Sequence, residues 1–233
     1  MSPNEAPLVF LGEALRTARR SPGENRPAVT LAWAQSIDGS IAGKRGEQTA
    51  LSGPESLVCT HFLRSSHDAV LVGIDTVLAD DPRLTVREYD GTSPSVVVLD
   101  GSLRTSPAAR LFESGVPVYL MHRFGVEPDK ALPKHAVPVA VESDDAGRVN
   151  LCSVLRELGS RGFRSLMVEG GARVLSSFLR EDLADLLIVT VASVLLGGYG
   201  VIVGDSGSRF APVRLKISRR IAVGEDEILV GTR

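Results

Sequence analysis

The sequence predicts an α/β protein with a mostly parallel central sheet, an antiparallel C-terminal edge and flanking helices. Short valine-rich runs bounded by Gly, Pro or Asp recur from Ala28 onward, the pattern of central strands buried on both faces. Helical patterns separate these runs, as crossovers between parallel strands require. The tail breaks that alternation: "VRLKISRRIAV", then "GEDE", then "ILVGT" reads as two antiparallel strands with no helix between them.

The elements follow in order. Residues 8–20 (LVFLGEALRTARR) have the composition of a short helix, and 21–27 (SPGENRP) break it. Residues 1–26 are therefore an N-terminal extension and 27–233 one domain. Strands are expected at 29–34, 69–73, 95–99, 117–121, 137–141, 165–169 and 186–192. In "SGPES" (52–56) Ser52 has the place of an N-cap, with Glu55 three residues on and Pro54 tolerated in the first turn. Val58, Phe62 and Leu63 would face inward from that helix. Asn150 can cap a second helix whose Leu151, Val154, Leu155 and Leu158 share one side. A third starts after Gly171, with Val174, Leu175, Phe178 and Leu179 inward.

Composition excludes several classes. Of 233 residues, 43% are hydrophobic and 23% charged, the balance of a folded domain rather than a disordered chain. A net charge of −2 gives no bulk attraction to nucleic acid or to an anionic membrane. The two cysteines, Cys59 and Cys152, form no CxxC, and His61, His67, His122 and His135 form no HxxxH. No metal is expected on that spacing, and a reducing compartment suits the cysteine usage. No apolar run approaches the ~18 residues of a membrane helix. The N-terminus lacks the basic-then-apolar order of a signal peptide, so the expectation is a cytoplasmic chain.

Residues with chemical potential cluster in four stretches. In "LVGIDTVLADDPRLTVR" (71–87), Asp75, Asp80, Asp81 and Arg87 follow a buried strand. They are either a solvated loop or an anion site with a second charged group beside it. In "SLMVEGGARVLSSFL" (165–179) a strand ends in Glu169, two glycines turn the chain, and a helix starts at once. That is either a tight turn needing glycine for its φ angles or a pyrophosphate site at a helix N-terminus. "AQSIDGSIA" (34–42) puts Asp38-Gly39 after the first strand, as a bare turn or a site. Arg64 and Arg87 are each a solvated charge alone; together two guanidiniums suit a phosphate. There is no GxGxxG after an early strand, no GxxxxGK[ST] and no GxSxG. The glycines of "LLGGYGVIVG" (195–204) either form a loop or approach a cofactor.

Together "AQSIDGSIAG", "LRSSHDAVLVGIDTVLADDPRLTVR", "VVLDGSLRT" and "LMVEGGARVLSSFL" resemble the riboflavin-pathway pyrimidine reductases, which share the dihydrofolate reductase-like fold. The resemblance covers roughly residues 28–200, and "TLAWAQSIDGSIAGKRGEQTALSGPES" looks most like the stand-alone fungal type. It implies NADPH-dependent reduction of a ribosylamino group to ribitylamino: the sugar ring opens to an imine at C1′, which takes the hydride. By the same resemblance Arg64 and Arg87 hold the substrate's phosphate, with Gln48 and Leu84 beside them. Glu169 lies at the substrate's side. Ala34, Ala50, Thr76, Asp80 and Ser102 meet the cofactor, and Gly170, Gly171, Ala172, Arg173 and Val174 form its pyrophosphate turn. Asp80 is the working aspartate and Asp75 structural. Glu169 or Asp38 is the catalytic carboxylate that steadies charge or moves a proton.

Two departures separate the chain from the bacterial members. The first strand, "TLAWAQS", has no lysine, and "GEQTALSG" lacks the tryptophan of the "SGESQW" type. The H-x-E and P-C-x-x-C deaminase signature is also absent. A reductase-only chain acting on the 2,5-diamino pyrimidine is the expectation, and the resemblance implies a homodimer. The alternatives are the 2-oxo pyrimidine and a reductase of the same fold recruited to another pathway.

Overall fold

The computed structural model describes residues 5–20, 25–47, 49–129, 131–203 and 212–232. A nine-stranded sheet runs through the molecule in the order β10-β11-β8-β1-β7-β3-β4-β5-β6. Its strands are β1 (Ala28–Ser36), β3 (Ala69–Gly73), β4 (Ser95–Leu99), β5 (Val118–Arg123), β6 (Ala136–Val141), β7 (Ser165–Val168), β8 (Leu186–Ala192), β10 (Lys216–Val223) and β11 (Asp226–Thr232). From β8 through β6 every neighbouring pair is parallel. β11 and β10 close the edge antiparallel. A separate antiparallel pair, β2 (Ser40–Ala42) with β9 (Tyr199–Gly200), is too short to stand out in the sequence.

The continuous apolar runs have a physical explanation in the two cores. Along β3, Val70 and Val72 face one cluster while Ala69 and Leu71 face the other; in β4, Val96 and Val98 oppose Val97. The first core takes helix α1 (Glu5–Ala18), through Phe10, Leu11 and Leu15, and α2 (Pro54–Ser65), through Cys59 and Leu63. The second takes α4 (Leu151–Ser160) and α5 (Ala172–Arg180). With both sheet faces covered, alternation of polar and apolar residues has no place in the central strands.

Local signals fare unevenly. Asn150 caps α4, its side chain accepting the Ser153 N–H at 2.8 Å, and Leu151, Val154, Leu155 and Leu158 are all buried. Ser52 does not cap α2. The N-cap is Gly53, with no side-chain capping bond, because Pro54 occupies the first helical position and the residue before it must take the cap. Gly53 donates its N–H to the Asp226 carboxylate at 2.8 Å instead. The stretch 74–80, read as part of a loop, is helix α3 (Ile74–Asp80). It buries only Ile74 and Val77 and ends at Asp81, which takes the left-handed conformation (φ 41°) just before Pro82. Seven residues with two inward positions give too little periodicity to detect.

The N-terminal segment is tied to the sheet by Arg26. Its guanidinium meets Asp185 through two hydrogen bonds of 2.7 Å, and the same carboxylate accepts the Val29 N–H at 2.7 Å. Arg26→Ala is expected to destabilise the fold by about 2 kcal/mol, the loss of charge-assisted hydrogen bonds at a part-buried carboxylate. Urea denaturation checks this; a change below about 0.5 kcal/mol would place the pair among the inert surface ion pairs.

Candidate active site

β7 enters the sheet between β1 and β3, although the chain has by then run outward to β6. That insertion makes a topological switch point, and the crevice at the carboxyl ends of such strands is where ligands bind in open α/β sheets. A cleft of about 1610 Å³ lies there. Its wall takes Ala34 from β1, Thr76 and Asp80 from α3, Ser102 after β4, and Glu169 through Val174 from the β7–α5 turn.

The α5 N-terminus is built for close approach. Gly171 is its N-cap with φ −65°, and neither Gly170 nor Gly171 has a positive φ. The expected reason for glycine, backbone conformation, is therefore replaced by another: space. A Cβ on Gly170 would stand 2.5 Å from Val174 Cβ, and one on Gly73 would stand 2.8 Å from Val174 Cγ2. Val174 is wedged over the ends of β3 and β7 and draws α5 onto the sheet. The Thr76 hydroxyl lies 3.3 Å from where a Gly171 Cβ would be. A helix N-terminus with free N–H groups, two small residues and a hydroxyl offers a phosphate what it needs.

Beside this turn, three arginines gather on one carboxylate. Arg173 and Arg104 reach Asp75 at 3.2 and 3.3 Å, and Arg45 at 3.9 Å. All four side chains are more than half exposed, so the pairs hold little energy, but the group carries an excess of positive charge into the cleft. Ser102, expected near the cofactor, accepts a hydrogen bond from Arg123 at 2.9 Å.

At the other side Glu169 is gripped by Arg64. Arg64 Nε and Nη2 donate to the two carboxylate oxygens at 2.7 and 2.6 Å, and Nη1 donates to the Thr85 carbonyl at 3.1 Å. Burial works against the Arg64 charge, yet attraction to Glu169 outweighs it and raises its pKa. Arg87 donates to Thr85 Oγ1 at 2.9 Å and approaches the same Thr85 carbonyl at 3.5 Å. The two arginines thus share one acceptor and stand together. Their roles differ: the Arg64 fork is taken by Glu169, whereas exposed Arg87 meets no carboxylate among the described residues. Leu84 is buried at φ 56°, beneath this segment.

The other expected residues fall apart from this pair. Asp38 is on the turn between β1 and β2, outside the cleft wall. It accepts from Ser40 Oγ at 2.6 Å, Leu196 N at 2.7 Å and Gly197 N at 3.0 Å. Those bonds, the Ser40 hydroxyl foremost, hold its pKa far below the usual carboxylate range. It latches the loop that precedes β9, whose Tyr199 lines the cleft. The glycines there serve that loop: a Cβ on Gly198 would overlap the Ala42 carbonyl. Ala50 is exposed and outside the wall, and Gln48 lies outside the described residues. Asp80 is half-buried, has no hydrogen-bond or ion-pair partner among the described residues, and burial raises its pKa. His61, buried one turn before Arg64, was not legible as a site residue; its Nδ1 accepts the Arg87 N–H at 2.8 Å.

The RibD C-terminal domain family matches over residues 27–229. The 2,5-diamino-6-ribosylamino-4(3H)-pyrimidinone 5′-phosphate reductase of Debaryomyces hansenii is 37% identical over 206 residues, covering 80% of this chain and 83% of its own. The protein of that name in Methanothermobacter thermautotrophicus is 36% identical over 213 residues, covering 88% and 97%. Among solved structures, a riboflavin biosynthesis reductase of Saccharomyces cerevisiae superposes with a TM-score of 0.73 at 28% identity, covering 96% of this chain and 97% of its own. A Thermotoga maritima deaminase/reductase gives a TM-score of 0.73 at 30% identity, but this chain, 90% covered, spans only 57% of it. The sheet order, the dihydrofolate reductase-like architecture these structures share and the match over nearly the whole described domain lead to one conclusion: the chain belongs to the RibD C-terminal domain family.

Proposed function

We propose that this chain is an NADPH-dependent reductase of riboflavin biosynthesis, converting the ribosylamino group of a 2,5-diamino-pyrimidinone 5′-phosphate to ribitylamino. The observation that carries this reading is Glu169, gripped by Arg64 with Arg87 alongside, on the wall of the same cleft as the N-terminal turn of α5. The relatives named above as 2,5-diamino-pyrimidinone reductases support the choice of pyrimidine.

The residues fit a phosphorylated dinucleotide. Gly170, Gly171, Ala172 and Val174 leave room for the pyrophosphate, Thr76 adds a hydroxyl, and Arg173 with Arg45 and Arg104 adds charge. Ala34 and Ser102 lie along the same wall. When bound, NADPH supplies the hydride. Arg87 would hold the substrate's phosphate, fixing the sugar's distance from the cofactor, which is the proximity contribution. Glu169, oriented by a two-point grip, would place negative charge beside the positive charge that grows at the ring-opened carbon. Burial raises the Asp80 pKa and so favours its neutral form. Asp38 is committed to its loop.

Loss of NADPH absorbance with each freshly generated pyrimidine phosphate tests the proposal. Turnover with the 2-amino compound alone is expected. Turnover with the 2-oxo compound alone would favour the second reading, 5-amino-6-(5-phosphoribosylamino)uracil reductase, one of the two activities named for the Thermotoga maritima protein. No oxidation with either, from protein that still binds NADPH, would point to a recruited reductase. The family resemblance also supports a homodimer and a cytoplasmic location; no described helix is long and apolar enough to cross a membrane.

A further inference from the structure

Residues 81–87 belong to no helix or strand, so nothing in a backbone ladder fixes where Arg87 points. Two side chains of α2, one helical turn apart, do so instead. Arg64 holds the Thr85 carbonyl, and His61 accepts the Arg87 N–H through Nδ1 at 2.8 Å. The segment's other ties lie to either side of Thr85: the Val86 N–H donates to Ser93 Oγ at 3.0 Å, Arg83 meets Glu113 at 2.9 Å, and the Asp81 carboxylate accepts the Arg110 N–H at 2.9 Å. His61 is 2% exposed, so the acceptor for that N–H is held in place by the packing around its ring.

We propose that His61 is a positioning residue for the substrate-phosphate end of the cleft, setting Arg87 beside Arg64 through the Arg87 backbone. The inference rests on the reading of Arg87 as the phosphate-holding group. Nδ1 accepts only when it carries no proton, so the proton of the neutral ring is on Nε2. The charged groups that face the ring are Arg64 on its own helix, Arg87 and Glu88 on the following segment, and Glu169 at the end of β7. Burial, with Arg64 and Arg87 adding to it, lowers the His61 pKa to about 4, while Glu169 and Glu88 oppose the shift. The sign follows: with an unfolded value near 6.5, the ordered arrangement loses stability as pH falls below about 6.5 and is lost as the ring protonates near 4. Protonation would remove the acceptor and add a third cation beside two arginines.

The test compares His61→Asn, whose Oδ1 can stand near the place of Nδ1, with His61→Gln, whose acceptor reaches further, and with His61→Leu, which has none. Ribose 5-phosphate is the probe, its binding read by calorimetry, alongside NADPH binding, the KM and kcat for the pyrimidine phosphate, and thermal unfolding. Leu is expected to weaken ribose 5-phosphate binding and raise the pyrimidine KM about tenfold, with NADPH affinity within about twofold. Asn should restore most of the loss and Gln less. Wild-type probe binding should fall as pH approaches 4, and Asn should remove that limb.

Equal behaviour of Asn and Gln, unchanged probe binding in a folded Leu variant, or parallel losses of NADPH and probe binding with thermal stability would each overturn the proposal. If Leu does not fold, the Asn–Gln comparison decides. A wild-type protein that binds ribose 5-phosphate in a His61-dependent way but turns over neither pyrimidine would reject the substrate assignment and leave the positioning role standing. Absence of probe binding by the wild type would reject Arg87 as the phosphate group and the inference with it.

Discussion

Glu169→Gln is expected to cut turnover by about two to three powers of ten while leaving NADPH affinity nearly unchanged. Glutamine keeps the shape and one acceptor oxygen, so Arg64 retains part of its grip, but the negative charge at the cleft wall is gone. The two side chains are only 12% and 15% exposed, so neither is screened as a surface pair would be. Removing one partner therefore also affects the fold. Arg64→Ala strands a carboxylate in a poorly hydrated place and is expected to destabilise by about 3 kcal/mol. Replacing both, Arg64→Met with Glu169→Leu, should cost less stability than the two single changes summed, because no charge is left without its partner. Stopped-assay kinetics and urea denaturation on the four proteins separate the two roles. A full-rate Glu169→Gln enzyme would take Glu169 out of the chemistry and leave the pair as a structural clamp.

Gly170→Ala is expected to weaken NADPH binding at least tenfold and to destabilise the protein by about 1–3 kcal/mol, the range of overpacked cores. The new Cβ would stand 2.5 Å from Val174 Cβ and 2.6 Å from Val174 Cγ1. Val174 cannot turn away freely, since a β-branched residue in a helix has one strongly preferred rotamer and its other methyl lies against Gly73. The first turn of α5 must therefore move, and the N–H groups that would face the pyrophosphate move with it. Gly171→Ala is the internal control for stability: its Cβ would meet only the Thr76 hydroxyl at 3.3 Å, at a φ of −65° that alanine adopts without strain. Adding Val174→Ala to Gly170→Ala should restore binding more than stability. Equal losses in Gly170→Ala and Gly171→Ala would mean that the turn tolerates no side chain at all and that Val174 is not the reason.

How much of this was readable beforehand depends on range along the chain. The seven parallel strands were legible because continuous runs of valine, leucine and isoleucine report burial on both faces, a property carried within each run. The Asn150 cap was legible because donor and acceptor are three residues apart. The resemblance to the pyrimidine reductases likewise rests on contiguous motifs, and the family match bears it out. Helix α3 was missed because two buried positions in seven residues make no period.

Tertiary structure alone decided what those motifs do to one another. Arg64 and Glu169 are 105 residues apart and meet only because β7 is inserted next to β3; on the sequence both arginines looked like equal halves of a clamp. Asp38 looked free for chemistry after its strand, yet a loop 158 residues on saturates it. Gly170 and Gly171 were legible as a pair, but the reason for them, a valine one helical turn later pressing on the sheet, is a contact and not a conformation. The sequence by itself determined the parallel strands, the Asn150 cap and the family, since these depend on neighbours along the chain. Which charge is free and which is spent was left to the fold, because a hydrogen bond between distant residues exists only once the sheet has brought them within 3 Å.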